Sequence, residues 1–317
     1  MDHFINFKDI SPDYLNDIIE KALEIKKSPE QYAKALAGKK LYMLFQKTST
    51  RTALSFAFGM TGLGGEYFMQ KWDDSNFAVG DIRDEVRYVS RSVDIIMARL
   101  KKNEDINLMA KYATVPVING CCDKFHPCQA MADLLTIREI FGSLKVKVLY
   151  VGVANNVLNS LMDSLPRLGG ELLAVTPIIN ESSIDHELYR SAQKTGKFRD
   201  IGGGGPSIHD LKDAVKEADV IYTDTWVDME FINDEKFAEL KNERVDKMIP
   251  FQVNSQLLKG SKAVVMHDMP IHAEYEISRE TVEANIGTIL QQAENRKWAQ
   301  MAILMKLLGK QQAAINL

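Results

Sequence analysis

Short apolar runs alternate with helix-period segments along almost the whole of this 317-residue chain, and few folds accept that pattern. Leu41–Phe45, Ile95–Ala98 and Val115–Ile118 have the length of buried strands, with Glu66–Met69 as a shorter one. Ser11-Pro12 opens a helix that runs to about Lys27. Leu54–Met60, Asp84–Ser92, Asn107–Ala113 and Pro127–Phe141 carry helical spacing, and in the last of these Met131, Leu134, Leu135, Ile137 and Ile140 share a face. Gly142 then breaks the helix and the alternation restarts. Strands are expected at Val146–Val151, Leu172–Val175, Asp219–Tyr222 and Ala263–Met266. Helices are expected at Val157–Leu168, Ser183–Thr195, Ile208–Ala218 and Asn295–Leu308, with loops at Trp72–Gly80 and Gly202–Gly205. Strands separated by helices pair in parallel, because each helix serves as a crossover. The predicted fold is therefore α/β, with two domains, each a parallel sheet flanked by helices, joined by inter-domain helices. Residues 1–142 make the first domain and 143–294 the second. The segment 295–317 packs back on the first, since its apolar face needs a partner.

Composition narrows the function. The net charge of −4 argues against a nucleic-acid partner held by a basic surface. No apolar run approaches the roughly 20 residues that span a membrane, so no membrane partner is expected. Met1-Asp2-His3-Phe4 does not open a secretory signal. Cys121, Cys122 and Cys128 are odd in number and fit no zinc spacing, so they read as reduced thiols of a cytoplasmic protein without a metal.

Polar, reactive residues gather where strands end and helices begin, which is where open α/β sheets bind ligands. Ser49-Thr50-Arg51-Thr52 follows the strand at 41–45. Free helix N–H groups, the helix dipole, three hydroxyls and a planar guanidinium make a phosphate cradle. The same residues also fit an ordinary cap cluster. Arg99 closes a very apolar strand, where a cation is costly unless it meets an anion or snorkels outward. His126-Pro127-Cys128-Gln129 places Pro127 in a first helical turn and His126 just before it. The dipole there disfavours protonation, so His126 suits a neutral donor to a carbonyl oxygen, or a cap. Asp224-Thr225-Trp226-Val227-Asp228-Met229-Glu230 and His267-Asp268-Met269-Pro270 both follow strands and are rich in carboxylates. They suit an ammonium ligand or are solvated loop acids. Gly152-Val153-Ala154-Asn155-Asn156 lacks the Gly-x-Gly-x-x-Gly pattern of a dinucleotide site, and its Asn pair could donate to a carboxylate.

Taken together, these segments resemble the aspartate/ornithine carbamoyltransferase family, on its ornithine side, over nearly the whole length. Ser-Thr-Arg-Thr at 49–52 is similar to the carbamoyl phosphate motif. His126-Pro127-Cys128-Gln129 with Ala132–Thr136 resembles the second motif. Asp224-Thr225-Trp226-Val227 resembles the start of Asp-x-Trp-x-Ser-Met-Gly, His267-x-x-Pro270 resembles His-Cys-Leu-Pro, and Glu294-Asn295-Arg296 resembles the closing Glu-Asn-Arg. The resemblance implies an N-terminal carbamoyl phosphate domain, a C-terminal amino-acid domain and homotrimers with sites between subunits. It implies transfer of a carbamoyl group to ornithine, giving citrulline and phosphate in arginine metabolism, with no cofactor. It also implies that Ser49, Thr50, Arg51, Thr52 and Arg99 hold phosphate, and that His126, Gln129 and Arg296 address the carbamoyl group. Asn156, Asp224 and Met229 would hold ornithine's α-groups, with Asp228, Asp268 and Met269 in the same acceptor site and Asp268 close to the reaction.

Four departures bear on this. Ala53 stands where the family's motif has a second arginine. Asp228-Met229-Glu230 replaces Ser-Met-Gly, Asp268-Met269 replaces Cys-Leu, and Gly152–Asn156 lacks one acid of Gly-Asp-x-x-Asn. Acids gained at 228, 230 and 268 favour a cationic acceptor. They leave open putrescine, lysine or another diamine-bearing molecule in place of ornithine, and a non-catalytic paralogue that binds carbamoyl phosphate.

Overall fold

The structure, a computed structural model, describes residues 2–203, 205–227 and 238–315, with only the backbone of Leu240 and of 310–315. It divides into two compact units: Met1–Leu135 with Glu294–Leu317, and Thr136–Ala293.

Unit 1 holds a four-stranded parallel sheet of β1 (Lys40–Phe45), β2 (Glu66–Lys71), β3 (Ile95–Arg99) and β4 (Val117–Cys121), in the order β2-β1-β3-β4. The two central strands bury every residue of Leu41–Phe45 and Ile95–Ala98. The helices are α1 (Pro12–Lys27), α2 (Thr50–Gly62), α3 (Ile82–Val89), α4 (Asn103–Tyr112) and α5 (Pro127–Phe141). Ser11 caps α1 by accepting from Tyr14 N, and Leu15, Ile18, Ile19, Ala22 and Ile25 turn inward. The first strands and α5 stand where the sequence places them. The expected strand at Val115–Ile118 instead runs from Val117 to Cys121. Its pairing with β3 slips between Ala98 and Arg99, so that Arg99 stands opposite Cys121. Gly120 lies at this slip, where a Cβ would come 2.5 Å from Met97 Sδ and displace that side chain.

Unit 2 holds a five-stranded parallel sheet of β5 (Lys147–Ala154), β6 (Glu171–Ile179), β7 (Phe198–Asp200), β8 (Val220–Thr223) and β9 (Val264–His267), in the order β7-β6-β5-β8-β9. Leu149, Val151, Leu173, Val175, Ile221 and Val265 form its centre. Helices α6 (Asn156–Ser164), α7 (His186–Lys194), α8 (Ile208–Glu217) and α9 (Ala238–Met248) flank it. The expected helix over Ser183–Thr195 begins only at His186, because Asp185 caps it by accepting from Leu188 N.

The last helix, α10 (Arg279–Ile315), starts well before the expected Asn295. The chain passes from unit 1 to unit 2 within α5 and returns within α10. Gly142 ends α5, whereas the change of unit falls earlier, after Leu135. In unit 1, α10 packs on α2 at Gly59, where a Cβ would lie 3.2 Å from Met301 Cγ. No helix among the described residues is long and apolar enough to cross a membrane.

Candidate active-site residues in the two units

In unit 1 the polar residues cluster at the carboxyl ends of three neighbouring strands. After β1, Ser49 adopts an extended backbone and caps α2, its Oγ accepting from Thr52 N at 3.2 Å. The cap turns the opening N–H groups of α2 outward beside Thr50 and Arg51. Gln46 ties the neighbouring strand end into place: its N–H donates to Arg99 O at 2.8 Å, and its Oε1 accepts from Lys101 N at 2.8 Å. Arg99 is the last residue of β3, and its Nε is buried with no hydrogen-bond partner among the described residues. After β4, His126 opens α5, its carbonyl accepting from Gln129 N and Ala130 N.

His126 is buried, and its imidazole is held well below the usual histidine range. Burial is the largest cause, followed by the positive charges of Arg296, Arg99, Arg51 and Lys47. That direction favours the neutral ring, with desolvation as the first cause and the arginine cluster as the second. Arg296 is 2% exposed. Its Nη1 donates to Gln129 Oε1 at 2.7 Å and its Nη2 to Thr52 Oγ1 at 3.0 Å. With its amide turned to satisfy both ends, Gln300 accepts from Arg296 Nε at 3.0 Å and donates to Ser55 Oγ. Gln129 Nε2 in turn donates to Asp133 Oδ1 at 2.9 Å. A buried carboxylate and a buried guanidinium are thus coupled through one amide. Burial is the first cause lowering the Arg296 pKa, while Cys128 and Asp133 act in the opposite direction. The sequence names Asp133 only within the Ala132–Thr136 motif, with no role, and does not point to Gln300. Asp133 lies four residues beyond Gln129 and Gln300 four beyond Arg296, and on a helix that spacing stacks side chains.

In unit 2, Asn155 rather than Asn156 is the N-cap of α6. Asn155 Oδ1 accepts from Val157 N, Leu158 N and Tyr150 Oη, and its Nδ2 donates to Asp224 Oδ2 at 2.6 Å. Asp224, just past β8, is buried and also accepts from Thr225 N. Asn156, half-buried, is the first residue of α6 beside this pair. Past β9, Asp268 Oδ1 lies 3.6 Å from His267 Nδ1. That nitrogen accepts from Met269 N at 2.9 Å, so the ring proton sits on Nε2, which donates to Glu276 Oε1 at 3.1 Å. Thr225 Oγ1 donates to Val227 O and accepts from His272 Nδ1. Tyr150 is pushed well above the usual tyrosine pKa, first by burial and then by the charges of Asp224 and Asp268. Both carboxylates therefore act on one buried phenol. Asp228, Met229 and Glu230 lie outside the described residues.

Comparison with known proteins gives a consistent result. Residues 2–139 match the model described as aspartate/ornithine carbamoyltransferase, carbamoyl-P binding domain. Residues 144–307 match the one described as aspartate/ornithine carbamoyltransferase, Asp/Orn binding domain. An ornithine carbamoyltransferase of Archaeoglobus fulgidus is 40% identical over 320 residues, covering 98% of this chain and 99% of its own length. One of a Vibrio species is 38% identical over 314 residues, covering 97% of this chain and all of its own. Among solved structures, ornithine carbamoyltransferase from Pyrococcus furiosus superposes with a TM-score of 0.86 at 38% identity, covering 97% of both chains.

Proposed function

The chain belongs to the aspartate/ornithine carbamoyltransferase family, and on that premise we propose that it transfers the carbamoyl group of carbamoyl phosphate to the side-chain amine of ornithine, giving citrulline and phosphate. The observation that carries this reading is the buried Arg296, held on Gln129 Oε1 and Thr52 Oγ1 beside the capped start of α2, with the buried His126 and the buried Nε of Arg99 at the neighbouring strand ends of unit 1. A dianionic phosphate joined to a polarised carbonyl is the kind of ligand that such a set stabilises.

In unit 1, Ser49, Thr50, Arg51 and Thr52 at the start of α2, with Arg99, hold the phosphate. His126 and Arg296 stabilise the charge that builds on the carbonyl oxygen as the amine attacks. Gln129 has its amide engaged by Arg296 and Asp133, so its part is to fix the guanidinium. In unit 2, Asn156 and Asp224, with the unassigned partners Asn155 and Tyr150 behind them, hold the α-groups of the amino acid. Met229 and Asp228 join them by resemblance. A carbon–nitrogen bond forms, the carbon–oxygen bond to phosphate breaks, and the amine sheds a proton.

Phosphate release from carbamoyl phosphate, measured with ornithine, putrescine, lysine and no acceptor, tests this. Release that depends on ornithine and yields citrulline is expected. A second reading, transfer to another amine, is favoured by Asp268, a carboxylate in the acceptor half where the family's motif has cysteine. It requires release with putrescine or lysine and none with ornithine. Saturable carbamoyl phosphate binding with no release would make the chain a binding paralogue.

Two features support the remaining expectations. The edge strand β2 exposes Tyr67, Phe68 and Met69, with Phe68 60% exposed, and Tyr88 lines one hollow with Tyr67 and Phe68. An apolar sheet edge of this kind is a docking surface, and a homotrimer would cover it. Phe68→Asp is therefore expected to shift the chain to monomers in sedimentation velocity, with the circular dichroism spectrum unchanged. Cys121, Cys122 and Cys128 are buried free thiols, and burial first pushes Cys122 and Cys128 up to about 12. That fits a reducing compartment such as the cytoplasm.

A further inference from the structure

Glu276 is a fully buried carboxylate of unit 2 that the proposed chemistry does not use. Its Oε1 accepts from two groups of the segment that follows β9: His267 Nε2 at 3.1 Å and His272 N at 2.5 Å. Its Oε2 is buried with no hydrogen-bond partner among the described residues. A carboxylate taken out of water and only half satisfied is a costly way to fill a core, and an apolar side chain of similar volume commonly serves stability as well. What this oxygen supplies is geometry. As an acceptor it keeps the His267 proton on Nε2, which leaves Nδ1 to take the Met269 N–H at 2.9 Å. Met269 stands at φ 59° and Glu274 at φ 73°, the two non-glycine residues of positive φ among the described residues, and they bracket His272. Backbone of that kind is strained and persists only where its surroundings fix it.

Two arms leave this carboxylate. One runs through the His267 ring to Met269 N and sets the turn that carries Asp268. The other runs through the backbone of the half-buried His272. The ring of that residue donates from Nδ1 to Thr225 Oγ1 at 3.1 Å, and Thr225 N donates to Asp224 Oδ1 at 2.6 Å. The segments that follow β8 and β9 are thus tied to one oxygen. We propose that Glu276 is a positioning residue of the acceptor half, holding Asp268 and Asp224 at a fixed spacing through His267 and His272. The inference rests on the reading of unit 2 as the acceptor half, and Glu276 acts through its partners.

The test joins kinetics to hydrogen–deuterium exchange on the full chain. Glu276→Ala is expected to raise KM for ornithine by about tenfold or more, with KM for carbamoyl phosphate changed by less than about twofold. Glu276→Gln, which keeps an acceptor oxygen, should bring KM for ornithine back to within about threefold of the unaltered chain. Exchange follows the arms without substrate. Glu276→Ala should speed it in peptides over 224–227 and over 267–271, with the peptide over 147–154 unchanged. His272→Ala leaves the His267 arm in place, so it should speed only the peptide over 224–227, and it should raise KM for ornithine as well. If Glu276→Ala does not remain folded, His272→Ala decides alone. An unchanged KM for ornithine in Glu276→Ala, equal losses for the two substrates, a Gln variant as impaired as the Ala variant, or exchange over 224–227 untouched by His272→Ala would overturn the assignment. Failure of the ornithine reading shows in the unaltered chain, whereas failure of this inference shows only in the variants. Should the unaltered chain use another amine, KM is read with that amine, and should it release no phosphate, exchange decides.

Discussion

Arg296→Gln is expected to lower kcat/KM for carbamoyl phosphate by about 10²–10³-fold, the usual cost of one oxyanion donor. It is also expected to destabilise the chain by about 1–3 kcal/mol, the range for a buried acceptor left without its donor. The two effects have one structural origin. The guanidinium is buried and spends its N–H groups on Gln129, Thr52 and Gln300. Without it, Gln129 Oε1 and Thr52 Oγ1 lose their donor. Arg296→Lys separates charge from geometry. It restores the cation but not the fork, so it should recover more stability than activity.

The same variant has a pH signature. The His126 pKa is held down by burial first and by Arg296 second. Its native value lies below the unfolded value of 6.5, so the unfolded chain takes up the proton first as pH falls. The stability due to neutral His126 is complete above about 6.5 and is lost as pH drops from there towards the native pKa. Removing Arg296 raises that native pKa and narrows the window. NMR titration of the His126 ring should show the shift. A ring that titrates at the same pH in both proteins would mean that the two groups do not share a field.

How much of this was legible in sequence depends on how local each signal was. The bounds of α5 were readable because Pro127 opens it and Gly142 closes it. β7 was not, since three residues with Arg199 between Phe198 and Asp200 carry no period, and pairing with β6 is what makes them a strand. The first half of α10 was hidden for another reason. Val282 and Ile289 belong to the core of unit 2, whereas Met301, Leu304 and Leu308 are buried beyond the return to unit 1. One helix serving two cores shows no single apolar face. Among the site residues, Arg99 stood out because a cation that ends an apolar strand needs a reason, His126 because it precedes a helix opened by Pro127, and Arg296 only through the resemblance of Glu294-Asn295-Arg296 to the family's closing motif. Asn155 and Asn156 could not be ranked without the backbone, which alone decides which of two adjacent amides caps the helix.

Asp268→Asn is expected to cut kcat with ornithine by about 10²–10⁴-fold near neutral pH, the span of general base catalysis, with carbamoyl phosphate binding little changed. The argument turns on where the amine's proton goes. An alkylamine of this type has a pKa near 10.4, so it arrives as ammonium and must be deprotonated before it attacks. His267 is badly placed to accept that proton, because its Nδ1 takes the Met269 N–H and its Nε2 proton is directed at Glu276. Asp268, with Oδ1 3.6 Å from that ring, is the first carboxylate in the chain past β9, while Glu276 is engaged by His267 Nε2 and Asp224 is tied to Asn155 and Thr225. If Asp268 takes the proton, its loss should matter less as pH rises, because solvent then supplies free amine. The deficit of Asp268→Asn should shrink steadily towards pH 10. If Asp268 only anchors the ammonium, the opposite pattern follows. Its carboxylate would raise the pKa of the bound amine. Asn would then lower it, so the rising limb of the pH profile would move to lower pH, with kcat kept and KM for ornithine increased. The two limbs move in contrary directions, so one pH series on one variant separates a base from an anchor.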